Sequence, residues 1–276
     1  KGNVVGLHMR LSGQSILAGL RPEALVEGRD PNVFQGLNAQ GPEGQLGYDI
    51  PNLLIDHAMR NPPFRPGFWR GVNNNQNAIY LECFIDEMAH AAGQDPLEFR
   101  RKMMKNYPKH LAVLNTVAEK AGWGKPLAKG RALGIALMEG YDTYMAQVAE
   151  VSLNADGSVR VHKVSVAADL GMMVNPDTVL AQIQSAVVFG IGASVKHQIT
   201  VKNGRVQETN FNTFEPLRLH ETPQIDVVLV KSSEKPGGIG EPATAVVAPA
   251  IANAVAALTG KRVRRLPLTA DAIRQA

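Results

Sequence analysis

Along the chain the spacing of apolar positions changes twice. From Val4 to Ile16, Val5, Leu7, Met9 and Leu11 alternate with smaller or polar residues, which predicts a strand. Lys1-Gly2-Asn3 ahead of it is turn chemistry and reads equally as a hairpin turn lacking its first strand or as a frayed terminus. Residues 20–75 carry much of the Pro, Gly and Asn and little periodicity, so irregular surface or cofactor-facing segments with short strands are expected there, without a domain boundary. From Gln76 the pattern is helical: Ile79, Phe84, Ile85, Met88 and Ala92 share helical spacing, and Gly93 ends the run. Asp95-Pro96-Leu97-Glu98 predicts the next helix, with Asp95 as N-cap, Pro96 in the first position and Glu98 closing a capping box. A helix from Leu111 to Ala121, stopped by Gly122, completes a helical block over 76–122.

After Lys129 the period becomes two. Ala132–Met138, Met145–Leu153 and Val159–Asp169 read as strands, the last pair joined by the turn Asn154-Ala155-Asp156-Gly157. Val179, Ile183, Val187 and Ile191 are spaced by four and predict a buried helix over Asp177–Gly192, begun by Asn175-Pro176. Lys202-Asn203-Gly204-Arg205 signals a hairpin, Gln224–Val230 another strand, and Thr244–Leu258 a helix of small residues. The fold class is α+β, with no solenoid or propeller repeat.

Composition narrows the class. A chain of 276 residues, 45% hydrophobic, buries a core without disulfides, and its 26 Gly and 17 Pro are too dispersed for disorder or collagen. The lone Cys83 cannot form an internal disulfide, an iron–sulfur cluster or a Cys-rich zinc site. The apolar stretch Ala243–Leu258 contains Pro249 and Asn253 and is shorter than the roughly 20 residues of a bilayer span, so no membrane helix is expected. The chain opens on Lys1 rather than Met, without a signal peptide's pattern, so a processed or truncated polypeptide is expected.

Candidate chemistry centres on Lys235-Pro-Gly-Gly-Ile-Gly-Glu-Pro242. Such a loop before a helix is either a structural turn or a cradle whose backbone approaches a ligand; it is neither a P-loop nor a dinucleotide fingerprint. Glu241 is either a fixed carboxylate suited to act as a base or a charge that steadies the helix start. The small residues Ala248–Ala257 admit a neighbouring backbone or a flat ligand, and Pro249 should start, kink or end a segment. In Trp69-Arg70-Gly71-Val72-Asn73-Asn74-Asn75-Gln76 an arginine precedes a run of amides, which reads as a polar ligand site or as a capped loop with one Asn as N-cap. Lys261, Arg262, Arg264 and Arg265 form a basic cluster without interleaved aromatics, expected to be a solvated face or subunit contact rather than a nucleic-acid site. The seven histidines are scattered, no nucleophile elbow occurs, and Cys83 sits in an apolar helical pattern as a buried, inert thiol.

Taken in order, Trp69-Arg70-Gly71, Gln76-Asn77-Ala78, Glu82-Cys83-Phe84-Ile85-Asp86-Glu87, Asp95–Arg100, Ala168-Asp169-Leu170-Gly171, Asn175-Pro176, Gln182, Asn210-Phe211, Gly237–Pro242, Ala248-Pro249-Ala250, Asn253-Ala254 and Thr259–Arg262 resemble the molybdenum-binding subunit of the xanthine oxidase family. The likeness is to its isoquinoline 1-oxidoreductase (beta subunit) and aldehyde dehydrogenase branch, and it spans nearly the whole chain. Each motif alone is weak; the series is specific.

The resemblance implies a first molybdopterin-binding subdomain over 1–130, truncated at its amino end, and a second over 131–276 carrying the glycine loop, built of mixed sheets with packed helices. It implies Glu241 as the base beside molybdenum, with Arg70, Gly71 and Val72 near the metal's ligands and Gly238, Ile239 and Gly240 against the cofactor. That cofactor would be molybdopterin, in its cytosine dinucleotide form, holding molybdenum through its dithiolene instead of protein ligands. The implied reaction is oxidation of an N-heterocycle or aldehyde with water-derived oxygen. Electrons would leave to iron–sulfur clusters on a small [2Fe–2S] subunit, and onward to a cytochrome c or other acceptor. Two departures stand out: the family's Gly-Gly-Phe-Gly and Gly-Gln-Gly elements are missing, and its Gln-x-Glu-Gly element reads Gln182-Ile-Gln184-Ser185. A complementary amino-terminal polypeptide is therefore expected as a partner. A noncatalytic assembly module of the same fold is the alternative. A periplasmic location is implied by the branch, with the cytoplasm as the other option.

Overall fold

The computed structural model describes residues 2–41 and 43–276; Lys1, on which the expected amino-terminal turn partly rests, lies outside them. The chain runs β1 (Leu7–Gly13), α1 (Ile16–Leu20), β2 (Leu53–Met59), α2 (Val72–Ala91), α3 (Pro96–Met103), α4 (Pro108–Ala121), β3 (Ala132–Gly140), β4 (Thr143–Leu153), β5 (Val159–Asp169), α5 (Pro176–Val195), β6 (Val201–Lys202), β7 (Arg205–Val206), β8 (Gln224–Leu229), α6 (Pro242–Thr259) and α7 (Ala270–Gln275). This is α+β. β1 and β2 form a parallel pair, with Leu7 opposite Leu53. The main sheet has the order β3-β4-β5-β8, antiparallel except that β8 runs parallel to β5.

Strand periodicity assigns the two faces of that sheet to two cores. Ala136, Met138, Val164 and Val166 pack with Ile183 and Val187 of α5 and with Val247 and Ile251 of α6. Ile135, Leu137, Val148 and Ala167 pack with Leu81 and Ile85 of α2 and with Val113, Leu114 and Val117 of α4. The small residues of α6 serve a neighbouring backbone: a Cβ on Gly134 of β3 would lie 2.1 Å from the Ala254 nitrogen and 2.3 Å from the Ala250 oxygen. α6 continues through Pro249, so the proline neither starts nor ends a helix. The burial of α6 between β3 and α5 outweighs one lost helical hydrogen bond. Both α5 and α6 are long and apolar enough to cross a membrane, but 72% of the α6 window is buried inside the protein, as befits a core helix.

A buried polar network ties the helices to the sheet. Glu82 of α2, wholly buried, accepts from the Tyr48 hydroxyl, from Arg100 Nε at 3.0 Å and from the Leu137 amide at 3.1 Å. Asn253 of α6 donates to the carbonyls of Glu82 and Ile135. The basic cluster divides: Arg262 pairs with buried Asp86 and Lys261 donates to the Ile273 and Arg274 carbonyls, while Arg264, paired with Glu87, and Arg265 are exposed, as expected of a solvated face. Two capping expectations fail. Asp95 caps α3 through Leu97 and Glu98 amides, but the Glu98 carboxylate pairs with Arg101 instead of closing a box. α2 begins at Val72, four residues before the expected start, with Gly71 as its N-cap, so no Asn caps it and the amides lie in its opening turns.

Candidate functional site

The β3–β4 hairpin sets the geometry. Gly140 pairs with Thr143, so Tyr141 and Asp142 alone make the turn, with φ of 61° and 60°. Consecutive left-handed residues define a type I′ turn, usually given to Asn and Gly. Here the turn is held by the glycine loop that crosses it. Gly238 N–H donates to the Tyr141 carbonyl at 2.7 Å, and Thr143 Oγ1 donates to the Gly238 carbonyl at 2.8 Å. A Cβ on Gly237 would sit 2.3 Å from the Asp142 oxygen, and one on Gly238 2.9 Å from Tyr141 Cβ. These two glycines therefore serve a backbone crossing, and Ile239 packs into the core beside α5 and α6. Gly240 differs: a Cβ there would meet nothing within 4 Å.

Glu241 is the N-cap residue of α6, but its side chain does not cap that helix. It accepts a hydrogen bond from the Gly71 amide at 3.0 Å instead. Gly71 is itself the N-cap of α2, so the carboxylate sits where two helices begin, with the positive ends of both dipoles near it.

Arg70 lies beside it and is fully engaged. Its Nε donates to the Gly240 carbonyl at 2.5 Å, its Nη1 to Ser185 Oγ at 3.0 Å, and its Nη2 to Gln182 Oε1 at 3.0 Å. Burial pushes the guanidinium below its ordinary range, against the pull of Glu241. Ser185, one of the two positions at which the sequence departs from the family pattern, anchors Arg70 together with Gln182, which keeps the pattern. Gly71 has φ of +93°, and Val72 follows at +45°, a left-handed conformation that a β-branched residue rarely adopts. Asn75 Nδ2 holds the strained segment by donating to the Arg70 and Val72 carbonyls. Trp69 stacks on Phe189 of α5, ring centroids 4.7 Å apart.

Glu241, Tyr141, Val72, Asn73, Phe68 and Asp30 line a cavity of about 310 Å³, and Val72 and Asn73 also line a neighbouring one of about 690 Å³ that Trp69, Asn75 and Asn77 border. The Tyr141 hydroxyl is buried near Glu241 and makes no hydrogen bond of ordinary geometry. Burial and then the Glu241 charge push this phenol well above its usual range, so it remains a donor. Asp30 escaped the sequence reading. It is buried and accepts from Ser15 Oγ, Asn32 N and Leu17 N, and the Asp30-Pro31 helix-start pattern was the available signal. Among the described residues no three His, Cys, Asp or Glu side chains converge to hold a metal.

A family model described as a molybdopterin cofactor-binding domain matches residues 85–223. The chain belongs to the molybdenum-binding subunits of the xanthine oxidase family. It is 33% identical to the membrane-bound aldehyde dehydrogenase (pyrroloquinoline-quinone) of Gluconacetobacter polyoxogenes, over 93% of this chain and 36% of that protein. It is 30% identical to the isoquinoline 1-oxidoreductase subunit beta of Brevundimonas diminuta, over 96% of this chain and 34% of that protein. The fold is that of quinoline 2-oxidoreductase from Pseudomonas putida 86, with a TM-score of 0.77 at 13% identity, covering 99% of this chain and 60% of that one. The molybdopterin-binding chain thus spans about a third of the length of these curated relatives.

The site suits such a cofactor. Gly240 leaves open space where any other residue would place a side chain, beside a fixed guanidinium, and the neighbouring cavity is lined by the amides of Asn32, Gln35 and Asn73 as well as by the Asp30 and Glu241 carboxylates. The buried Tyr141 hydroxyl has no partner of its own.

Proposed function

We propose that this chain supplies the base-bearing part of the active site of a molybdenum hydroxylase or dehydrogenase large subunit, which oxidises an N-heterocycle or an aldehyde with oxygen derived from water. The observation that carries the proposal is the Glu241 carboxylate, fixed by the Gly71 amide on the wall of a cavity. Bound molybdopterin, as its cytosine dinucleotide, would supply an activated oxygen and accept an electron pair. Gly240, Arg70 and the Val72 segment would hold it. Glu241 would take the proton from the attacking oxygen, and Tyr141 would donate to the carboxylate or to the substrate. Phe68 and Val72 would form the apolar wall against the substrate ring or chain.

The partners proposed are an amino-terminal complementary polypeptide, a small [2Fe–2S] subunit that takes the electrons, and a cytochrome c or similar acceptor beyond it. The periplasm is the proposed compartment. One relative's name carries a quinone, whereas the matched family carries molybdopterin, and metal analysis separates the two.

The test is to purify the chain with its complement, measure molybdenum and cytosine nucleotide content, and follow aldehyde and N-heterocycle oxidation with an artificial electron acceptor. Glu241→Gln should retain molybdenum and lose roughly 10²–10⁴-fold in turnover. Undiminished turnover removes Glu241 from the reaction, and an active complex without molybdenum removes the cofactor assignment.

A further inference from the structure

The outer edge of β1 borders a trough that leads to the proposed site. Leu7 N–H donates to the Asn52 carbonyl at 2.8 Å, and the Gly13 carbonyl accepts from Arg60 N–H at 2.7 Å, which fixes the parity of the parallel pair: Leu7, Met9, Leu11 and Gly13 bond to β2. The N–H and C=O groups of His8, Arg10 and Ser12 therefore point the other way, and among the described residues no strand pairs with them. Two hollows lie on that side, one of about 540 Å³ and the cavity of about 690 Å³ described above. β1 and α2 line both, with His8 in the first and Ser12 in the second, whereas β2 contributes only His57. Gln76, Ile79 and Tyr80 border both hollows, so the two form one trough. At one end it shares Val72 and Asn73 with the cavity at Glu241. At the other end Tyr80 and Phe84 of α2, 48% and 42% exposed, stand beside Leu7 and Met9, and the exposed Arg264 and Arg265 close it. An unpaired strand edge running beside exposed aromatic side chains is the ordinary composition of a strand-addition site: the edge supplies backbone bonds and the aromatics supply side-chain pockets.

We infer that an extended segment of the complementary polypeptide adds to β1 as a third strand, with apolar side chains at every second position over Tyr80 and Phe84 and an acidic residue at the Arg264–Arg265 end. Two observations select this occupant. The trough is continuous with the cavity at Glu241, so a chain laid along it reaches the site that the complement must complete. The curated relatives carry roughly two thirds of their length outside the part matched here, which is ample chain to supply a strand. The strand required is of ordinary size: the seven residues of β1 extend over about 23 Å at roughly 3.3 Å per residue. The inference rests on the proposed complement and makes no use of the chemistry at Glu241.

Hydrogen exchange resolved to single amides tests it, on the full chain alone and bound. The probes are the complement that co-purifies with the chain and, as a defined second, the part of the Brevundimonas diminuta subunit outside the matched third. On binding, protection at the His8, Arg10 and Ser12 amides should rise about a hundredfold or more, while the Leu7, Met9 and Leu11 amides, already bonded to β2, are protected in both states. Tyr80→Ser with Phe84→Ser should weaken binding about tenfold or more and leave the urea midpoint of the chain little changed. Binding of neither probe, or binding that leaves the three even-numbered amides as exposed as in the chain alone, overturns the inference. Protection that a second copy already provides in the isolated chain, and that the complement does not displace, assigns the edge to that copy and overturns it as well. A complex paired at β1 that holds no molybdenum keeps the docking and removes the cofactor reading; an active molybdenum complex with β1 unpaired does the reverse.

Discussion

Arg70 and Glu241 hold each other's neighbours: Arg70 Nε donates to the carbonyl of Gly240, and the Glu241 carboxylate accepts from the amide of Gly71, each bond spanning 170 positions of sequence. Two loops that open two helices are thereby locked in register, and neither side chain is free to turn without breaking a bond to the other loop.

Gly71→Ala tests that lock. A methyl group there would lie 2.3 Å from Asn75 Oδ1, on a residue whose φ is +93°. The variant should lose about 1–3 kcal/mol in urea unfolding. Glu241→Gln, which can still accept from Gly71, should lose less than about 1 kcal/mol. Equal stability of Gly71→Ala and wild type would mean the lock is slack.

Gly240 and Gly134 make a contrasting pair. Gly240→Ala adds a methyl to open space and should leave stability within about 0.5 kcal/mol, yet lower the molybdenum content of the assembled complex. Gly134→Ala drives a methyl into the α6 backbone, and a loss of about 3 kcal/mol is expected. Thermal unfolding with metal analysis reads both, and full molybdenum loading of Gly240→Ala would show that its open space is not used.

Much of this was legible beforehand. Strand-like apolar runs located β3, β4 and β5, which are buried on both faces over much of their length, and Gly122 and Asn175 marked helix ends through local chemistry that needs no tertiary context. The start of α2 was missed because Gly71 and Val72 adopt left-handed φ, a conformation held locally by Asn75 and from a distance by Glu241, a tertiary partner. The glycine loop was recognised as unusual, but which glycines serve the hairpin and which leaves open space depends on a crossing that sequence spacing does not encode. Glu82 and Arg100 were seen only as family motifs, because their partners come from separate elements.

Arg100→Met should leave the Glu82 carboxylate buried without its main partner, at a cost of about 3–5 kcal/mol in urea unfolding. Adding Glu82→Gln should restore part of that loss. Additive losses in the double variant would show that the pair does not act as a unit.

Cys83 is half-buried on α2, and burial, aided by Asp86 and Glu82, pushes its thiol up to about 12. The thiolate is therefore scarce until the pH rises toward that value. At pH 8 the native chain should react with iodoacetamide about a thousandfold more slowly than the urea-unfolded chain. Comparable rates, followed by mass spectrometry, would contradict the burial.

The parallel pairing of β1 with β2 has a practical corollary. Leu7–Gly13 and Leu53–Met59 satisfy only each other, and among the described residues no third strand completes either outer rim. Unsatisfied rims of this kind recruit further extended chain. Concentrated preparations of the isolated polypeptide should self-associate there, and a proline substituted for an outward-bonding residue of the rim should keep it monodisperse.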